Sequence, residues 1–481
     1  MKVLVYNAPP VRSLLRDIEM RLGQIAGDAV FAPAFDETTP PKYDIALFET
    51  ETGSDDIAWF QNRYRQDVFA RTLISDRFIA RGYTTGGSVK PDPEIDARLA
   101  EKHARQNYVI NLYRHLERRF DDEKPDVVFA YVVANSASLA LYEVAKRRGV
   151  PYRMLTPTRI GARYLVDDTP FGTFSSARAI LDSEEGGKPT DWALESARSY
   201  LEDLRTRAAQ PEYYQQNLKI AYGKRAWKTV LESSYLATRE TWLHARSQRP
   251  AHLRKRARAI ERARIDLKSR ADRRKWFPKG AKPSSPYVFF PLHVDPEAST
   301  LVLAPYHTDQ LSIVEALSKA LPIGMILAVK EHMPMLGKRP DGFYERITAL
   351  PNVELISPEL NGVELARDAG VVAVITGTAG WEAVCLGVPT VVIGRAHYGF
   401  FDAVTVEPSL HKLPAALERA LPQDRIPDAL LGRYVAAIFD GSFEMPSTFF
   451  MEDHYRAADP ALKEAVTRSI ADYIAKASQA S

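Results

Sequence analysis

The sequence predicts an α/β protein built on two doubly wound, mostly parallel sheets with a basic helical insertion between them. Three observations carry that expectation. Short apolar runs alternate with longer amphipathic stretches through the N-terminal third. The same rhythm returns after residue 286 with five further apolar runs. Between them, residues 185–282 hold no strand-like run and keep a helical period. Strands separated by helices mark βαβ units, because parallel neighbours need a crossover.

Taken in order, VLVY (3–6) reads as a strand, residues 11–26 as a helix and DIALFE (44–49) as a strand. Two long charged helices follow near 55–81 and 94–121. DVVFAYV (126–132) and PYRMLT (151–156) are strands around a helix at 136–149 that Gly149 can end. The helical segment breaks at Pro211 and Pro250, and KWFPKGAKPSSP (275–286) reads as a linker. Strands are then expected at 287–292, 324–329, 353–356, 371–375 and 390–394. Their intervening helices fall at 309–321, 343–350, 362–369 and 381–387, and two more lie near 424–439 and 459–477. The expected domains are 1–184, a basic helical segment with its linker at 185–285, a second sheet domain at 286–440, and a tail at 441–481 returning to the first. Two doubly wound domains normally face each other across a cleft, with ligands at the carboxyl ends of strands.

Composition narrows the class. With 481 residues, 45% hydrophobic and 26% charged, the chain is ordinary globular protein of two to three domains. The start, MKVLVYNAPP, is too short and too weakly charged for a secretory signal, and no run approaches the ~18 apolar residues of a membrane span. One cysteine, Cys385, excludes an intrachain disulfide and fits a reducing cytoplasm. It sits in an apolar helical run and reads as core. The net charge of +3 hides an asymmetry: residues 211–285 hold 20 Lys and Arg against 6 Asp and Glu, leaving the remainder at −11.

Three strand-end loops of the second sheet carry polar chemistry. TGTAGWE (376–382) opens a helix, whose free N–H groups and dipole suit an anion. Thr376, Gly377, Thr378, Ala379 and Gly380 form that turn. It is neither a Walker loop nor a dinucleotide fingerprint. Glu382 would oppose a phosphate and so suits ribose hydroxyls. On the motif alone, a plain tight turn with a first-turn acid is equally open. The second loop places Lys330, Glu331 and His332 together, where Lys330 and His332 can neutralise a diphosphate; in isolation it reads as a solvated polar loop. In the first loop, His293, Asp295 and Glu297 alternate and can point to one side. No HExxH, paired Cys/His or Asp-x-Asp pattern marks a metal site, so none is expected.

Together, FFPLHVDPEAST, VKEHMPMLGKRPDGFYERITALPNVELI and TGTAGWEAVCLGVPTVVIG resemble the capsule polysaccharide biosynthesis family, which includes bacterial β-Kdo transferases. The resemblance covers residues 286–400 best, and 125–163 in order of elements. It implies a GT-B-like architecture, with two Rossmann-like domains facing a cleft, and metal-independent sugar transfer with the donor in the C-terminal domain. Donor-binding residues are then His293, Glu297, Lys330, His332, residues 376–380 and Glu382. The family's Gln-Pro-Glu is Asp295-Pro296-Glu297 here, and its His-Pro is His332-Met333. Its Glu-Asp-Gly-Phe stretch has no counterpart in the N-terminal half.

The expected function is therefore glycosyl transfer from a nucleotide sugar (CMP-Kdo-like or other) to a glycan or lipid-linked acceptor of capsule or lipopolysaccharide, with no cofactor. A carboxylate of the first domain would act as base or nucleophile. Asp167, Asp168 and Glu49 are candidates, each also readable as a surface or capping group. Arg159 and Arg163 are candidates for an acidic acceptor, or ordinary surface charge. The basic stretch 246–282 reads either as a peripheral site on anionic inner-membrane lipid or as a solvated face. No nucleic-acid module is present. The alternatives are a nucleotide-sugar epimerase of the same fold and a non-enzymatic basic binding protein.

Overall fold

The computed structural model describes residues 1–6, 11–35, 45–84, 93–131, 135–182, 188–207, 226–247, 249–277, 282–283 and 286–479. The chain divides into two compact units. Unit 1 comprises Met1–Ile79, Glu101–Ser199 and Asp428–Ser481; unit 2 comprises Ala80–Ala100 and Tyr200–Pro427. Each described unit carries one six-stranded, parallel-rich sheet.

In unit 1 the strands are β1 (Lys2–Val5), β2 (Val30–Pro33), β3 (Val127–Ala130), β4 (Tyr152–Pro157), β5 (Arg163–Asp167) and, late in the chain, β12 (Phe443–Glu444). Their order is β12-β5-β4-β3-β1-β2. β1 through β4 are parallel, β5 pairs antiparallel with β4, and β12 pairs antiparallel with β5 at the sheet's edge. β3 is buried on both faces, which explains its unbroken apolar run. The helix Ser136–Arg148 starts where the Asn135 side chain accepts from Ser138 N–H at 2.9 Å. It stops at Gly149, whose φ of 68° suits a residue without Cβ.

Several local expectations change. DIALFE is not a strand: Ile45–Glu49 is a short helix. Its carbonyls find partners that a neighbouring strand would otherwise supply. Asn107 Nδ2 donates to the Phe48 carbonyl at 3.2 Å, and Asn111 Nδ2 donates to those of Leu47 (3.2 Å) and Thr50 (2.8 Å). Phe48 stacks on Tyr108 at 4.6 Å. A short apolar run cannot declare its own state, and packing on the helix Ala104–Glu123 decides it. The span 55–81 contains two helices, Ser54–Gln61 and Gln66–Ile74. β2 and β12 are short edge strands with little periodic signal.

In unit 2, β6 (Tyr287–Pro291), β7 (Ile326–Lys330), β8 (Val353–Ile356), β9 (Val371–Val374), β10 (Thr390–Val392) and β11 (Val404–Val406) are all parallel. Their order is β11-β10-β9-β6-β7-β8. The chain builds outward from β6 through β7 and β8, then returns to the other side of β6 for β9. That reversal puts the switch point between β6 and β9, the crevice where open α/β sheets hold ligands. Val288, Phe290, Val329, Val371 and Ala373 lie in the core beneath it. The basic segment forms two helices, Ala226–Leu243 and Pro250–Trp276, packed against each other.

Candidate functional site

The loops after β6, β7 and β9 leave three adjacent strands at the switch point, so neighbours in the sheet bring together residues up to ninety positions apart. His293 joins the first loop to the third. Its Nε2 accepts the Thr376 backbone N–H at 3.4 Å. The His293 backbone N–H donates to Gln310 Oε1 at 2.8 Å, and its backbone carbonyl accepts from Gln310 Nε2 and Arg339 Nη2 at 3.3 and 2.8 Å. A ring nitrogen that accepts a backbone N–H carries no proton. Burial, reinforced by His332 and Arg339, pushes the His293 pKa down to about 3, so the imidazole is neutral. The ring packs on Gly377, where an added Cβ would lie 2.8 Å from Cε1.

Lys330, the last residue of β7, is buried and donates to the Pro358 carbonyl at 3.3 Å. Burial lowers its pKa to about 8, while Glu331 and Glu382 hold it up. Glu382 is half-buried on the helix Thr378–Leu386. Burial raises its pKa to about 7, and Lys330 opposes that rise. The loops after β7 and β9 thus present a buried ammonium and a reluctant carboxylate within electrostatic reach of each other. His332 is half-buried, and burial together with Lys330 lowers its pKa to about 4. It too is neutral.

The third loop is shaped by close packing. Gly377 caps the helix Thr378–Leu386 without a side chain. A Cβ on Gly380 would overlap the Tyr398 hydroxyl, which donates to the Gly377 carbonyl at 3.2 Å. Thr376 Oγ1 donates to the Ser299 carbonyl at 2.9 Å and is therefore occupied. Thr378 is exposed and Ala379 half-buried, so the helix start opens between them. Behind it, Trp381 Nε1 donates to Tyr200 OH at 3.1 Å, and Arg205 Nε donates to the Cys385 carbonyl at 2.9 Å. Cys385 is buried in that helix.

Glu297 does not converge with His293 and Asp295. It is exposed and accepts from Ser299 Oγ at 3.0 Å, whereas His293 and Asp295 are buried. Among the described residues, no three His, Cys, Asp or Glu side chains form a group able to hold a metal ion.

Sequence reasoning passed over the group that organises these loops. Arg339 Nε and Nη2 donate to the two Glu331 oxygens at 2.9 Å each. Tyr344 OH donates to the same carboxylate at 2.8 Å, and the His332 backbone N–H does so at 2.6 Å. Both charges are fully buried. Because Arg339 Nη2 also donates to the His293 carbonyl, one guanidinium ties the β6 loop to the β7 loop. The loop reaches the long basic helix at Gly337, where φ is +76° and any Cβ would overlap the backbone at Ile265 and Ser269. The available signal was an acid and an arginine eight residues apart inside one apolar-flanked loop, and that spacing belongs to no regular element.

The unit 1 candidates have other occupations. Asp167 ends β5 and is buried. Its carboxylate accepts from Thr173 Oγ1 (2.9 Å), Phe174 N–H (3.0 Å) and Ser175 Oγ (3.1 Å), closing the turn into the helix Ser175–Asp182. Arg163 donates to Ser442 Oγ (2.9 Å) and the carbonyls of Phe439 (3.0 Å) and Ser442 (2.6 Å). Its guanidinium packs against both the Trp192 and Phe439 rings, which meet each other edge to face. Asp168, Glu49 and Arg159 are exposed.

This strand-end constellation coincides with a sequence match. Residues 237–443 match the family described as capsule polysaccharide biosynthesis protein. The capsule-family match thus contains all three loops and the long basic helix. A comparison with curated proteins finds no match. Among solved structures, the chain is similar to the β-Kdo 2,4 transferase KpsC of Thermosulfurimonas dismutans at 18% identity, covering 66% of this chain and 80% of that one, with a TM-score of 0.36. It is also similar to the UDP-GlcNAc 2-epimerase of Methanocaldococcus jannaschii in complex with UDP-GlcNAc and UDP, at 14% identity over 92% and 99% of the chains and a TM-score of 0.28. Anabaena HepE in complex with UDP-glucose aligns at 11% identity over 99% and 100%, with a TM-score of 0.25.

Proposed function

We propose that the protein is a glycosyltransferase of surface-polysaccharide assembly that holds a nucleotide sugar at the unit 2 switch point. The observation carrying this reading is the buried Lys330 ammonium within electrostatic reach of Glu382 and the Gly377-capped N-terminus of Thr378–Leu386, at the ends of β7 and β9 on either side of β6. A phosphate placed there meets Lys330 and the N–H groups of Thr378 and Ala379, fixed donors that stabilise charge as it develops on the leaving nucleotide. Glu382 accepts from ribose hydroxyls. The anomeric carbon exchanges its bond to the phosphate oxygen for one to the acceptor hydroxyl oxygen. A carboxylate takes the hydroxyl proton. Asp168 and Glu49 are the exposed candidates, since the Asp167 oxygens are occupied. His293 and Arg339 position the loops and do not touch the reaction. A glycan or lipid-linked glycan is the acceptor.

Thermal-shift measurements with CMP, UDP, GDP and their sugars test the reading. One nucleotide raises the melting temperature by mass action. Lys330→Ala and Glu382→Ala each remove most of the shift while the apo protein stays folded. If no nucleotide shifts the melting temperature, the reading fails. Turnover of a nucleotide sugar without acceptor reassigns the site to an epimerase.

A further inference from the structure

The two-helix hairpin of unit 2 has no part in the chemistry above, yet its surface is organised. Residues 226–276 hold fifteen Lys and Arg against five Asp and Glu, a net +10. One face of the second helix, Pro250–Trp276, is used internally. Ala263 and Asp272 are buried, Lys268 pairs with Asp341 at 2.9 Å, and the backbone at Ile265 and Ser269 abuts Gly337. Its other face, at Ile260, Arg264, Leu267, Ala271 and Arg274, follows i, i+4, i+7, i+11, i+14 spacing and is exposed throughout.

The first helix, Ala226–Leu243, is more telling. Val230 and Ser233 are buried on its inner side. Leu231, Tyr235 and Trp242 stand at i, i+4 and i+11, one stripe on the outer side, and are 67%, 67% and 79% exposed. Lys228 and Arg239, both exposed, border one side of that stripe on the helical projection, and exposed Arg246 follows in the turn after the helix. An ordinary solvated face does not collect a leucine, a tyrosine and a tryptophan on one stripe. An apolar and aromatic stripe bordered by cations is what an interfacial helix presents: rings at headgroup depth and cations at lipid phosphates.

We propose that this hairpin docks the protein on an anionic lipid bilayer through the Leu231–Tyr235–Trp242 stripe, with the flanking arginines and lysines pairing lipid phosphates. Charge complementarity selects that occupant. A second copy of the chain would bring another +10 surface against the first and be repelled. A nucleic acid would satisfy the cations but leave the leucines without a partner. No described helix is long and apolar enough to cross a membrane, so the contact is interfacial. This inference stands apart from the catalytic reading, because it uses none of the loop residues.

Flotation of the full-length protein with vesicles decides the matter. Phosphatidylcholine vesicles with added phosphatidylglycerol carry the protein upward, vesicles of phosphatidylcholine alone do not, and added NaCl releases it. Leu231→Ser/Tyr235→Ser/Trp242→Ser lowers vesicle affinity at least tenfold with an unchanged melting temperature, because these side chains face solvent. Arg239→Ser/Arg246→Ser lowers it about fivefold per residue and flattens the salt dependence. Absence of binding to anionic vesicles overturns the proposal. So does a concentration-dependent dimer that the triple variant abolishes, or RNA binding that survives where vesicle binding fails.

Discussion

The two sheets end differently at the same edge. Beyond the carboxyl ends of unit 2, the chain places glycines, a buried lysine, a buried Arg–Glu pair and two neutral imidazoles. The corresponding edge of unit 1 carries a row of rings. His115 stacks on Phe35 (5.4 Å), Phe35 meets Tyr6 (6.2 Å), Tyr6 meets Tyr131 (5.8 Å), Tyr131 stacks on Phe450 (5.8 Å), and Phe450 meets Tyr164 (5.7 Å). Phe35, Tyr6 and Tyr131 each follow a parallel strand, and Tyr164 lies in β5 opposite Pro157 at the end of β4. The same architecture thus places charge at one unit's strand ends and a largely buried row of rings at the other's. Fold alone does not choose a site's chemistry; the residues just past each strand do. If that division is real, perturbing one edge should leave the other untouched.

The largest effect is expected at Arg339. Arg339→Met leaves the Glu331 carboxylate buried with neutral donors only, and breaking such a pair costs about 3–5 kcal/mol. Urea unfolding should show the unit 2 transition shifted down and that of unit 1 unchanged. Arg339→Met/Glu331→Leu should recover most of the loss, since no charge is then left buried. Equal shifts in both transitions would break the comparison.

Tyr6→Ala probes the opposite edge. Tyr6 is buried and accepts from Asn135 Nδ2 at 2.8 Å. Its removal should cost about 3 kcal/mol through the cavity and the lost ring contacts. The unit 1 transition should move while nucleotide thermal shifts keep their size. A loss of the nucleotide response would show the edges to be coupled.

These tests also mark what the sequence could and could not declare. Both sheets were legible because β3, β6, β7 and β9 are apolar runs between helical stretches. Lys330 and Glu382 stood out in the sequence because one closes an apolar strand run and the other lies early in the helix after a later such run. The Arg339–Glu331 pair was not, because its loop has no period and burial of a charge leaves no mark in sequence. Asp167 read as a candidate base or a capping group because β5, only five residues long, carries no alternation strong enough to place it at a strand end. The ring row was hidden for a similar reason: its rings come from residues just past β1, β2 and β3, from β5, from a helix and from a late turn, and only the fold lines them up.

A smaller effect is expected from Gly380→Ala. The new methyl overlaps the Tyr398 hydroxyl and crowds Val374 Cγ2 at 2.7 Å, so the cost should be about 1–3 kcal/mol. Tyr398→Phe should relieve part of it, and a double-mutant cycle would measure the coupling. Additive effects would mean that the glycine is not kept there by Tyr398.

The smallest effect tests the charged edge by pH. Burial raises the Glu382 pKa from the ordinary 4.5 to about 7. The folded protein therefore holds this proton more tightly than the unfolded chain does. Its contribution to stability is complete below pH 4.5 and is lost as pH rises through about 7. Glu382→Gln never ionises, so the variant should match the wild type near pH 4 and exceed it above pH 7. The full shift corresponds to about 3 kcal/mol, and solvent screening of a half-buried group reduces that to about 1 kcal/mol. Lys330 runs the opposite way: its pKa is depressed to about 8, so its contribution is present at high pH and lost as pH falls through that value. Lys330→Met should therefore stabilise most at the acid side of pH 8, where the wild-type chain bears a buried cation. Denaturant midpoints measured across this range for both variants should diverge from wild type in opposite pH directions. Parallel curves would mean that the two groups are solvated in the folded protein, and the charged edge would lose the feature that separates it from the aromatic one.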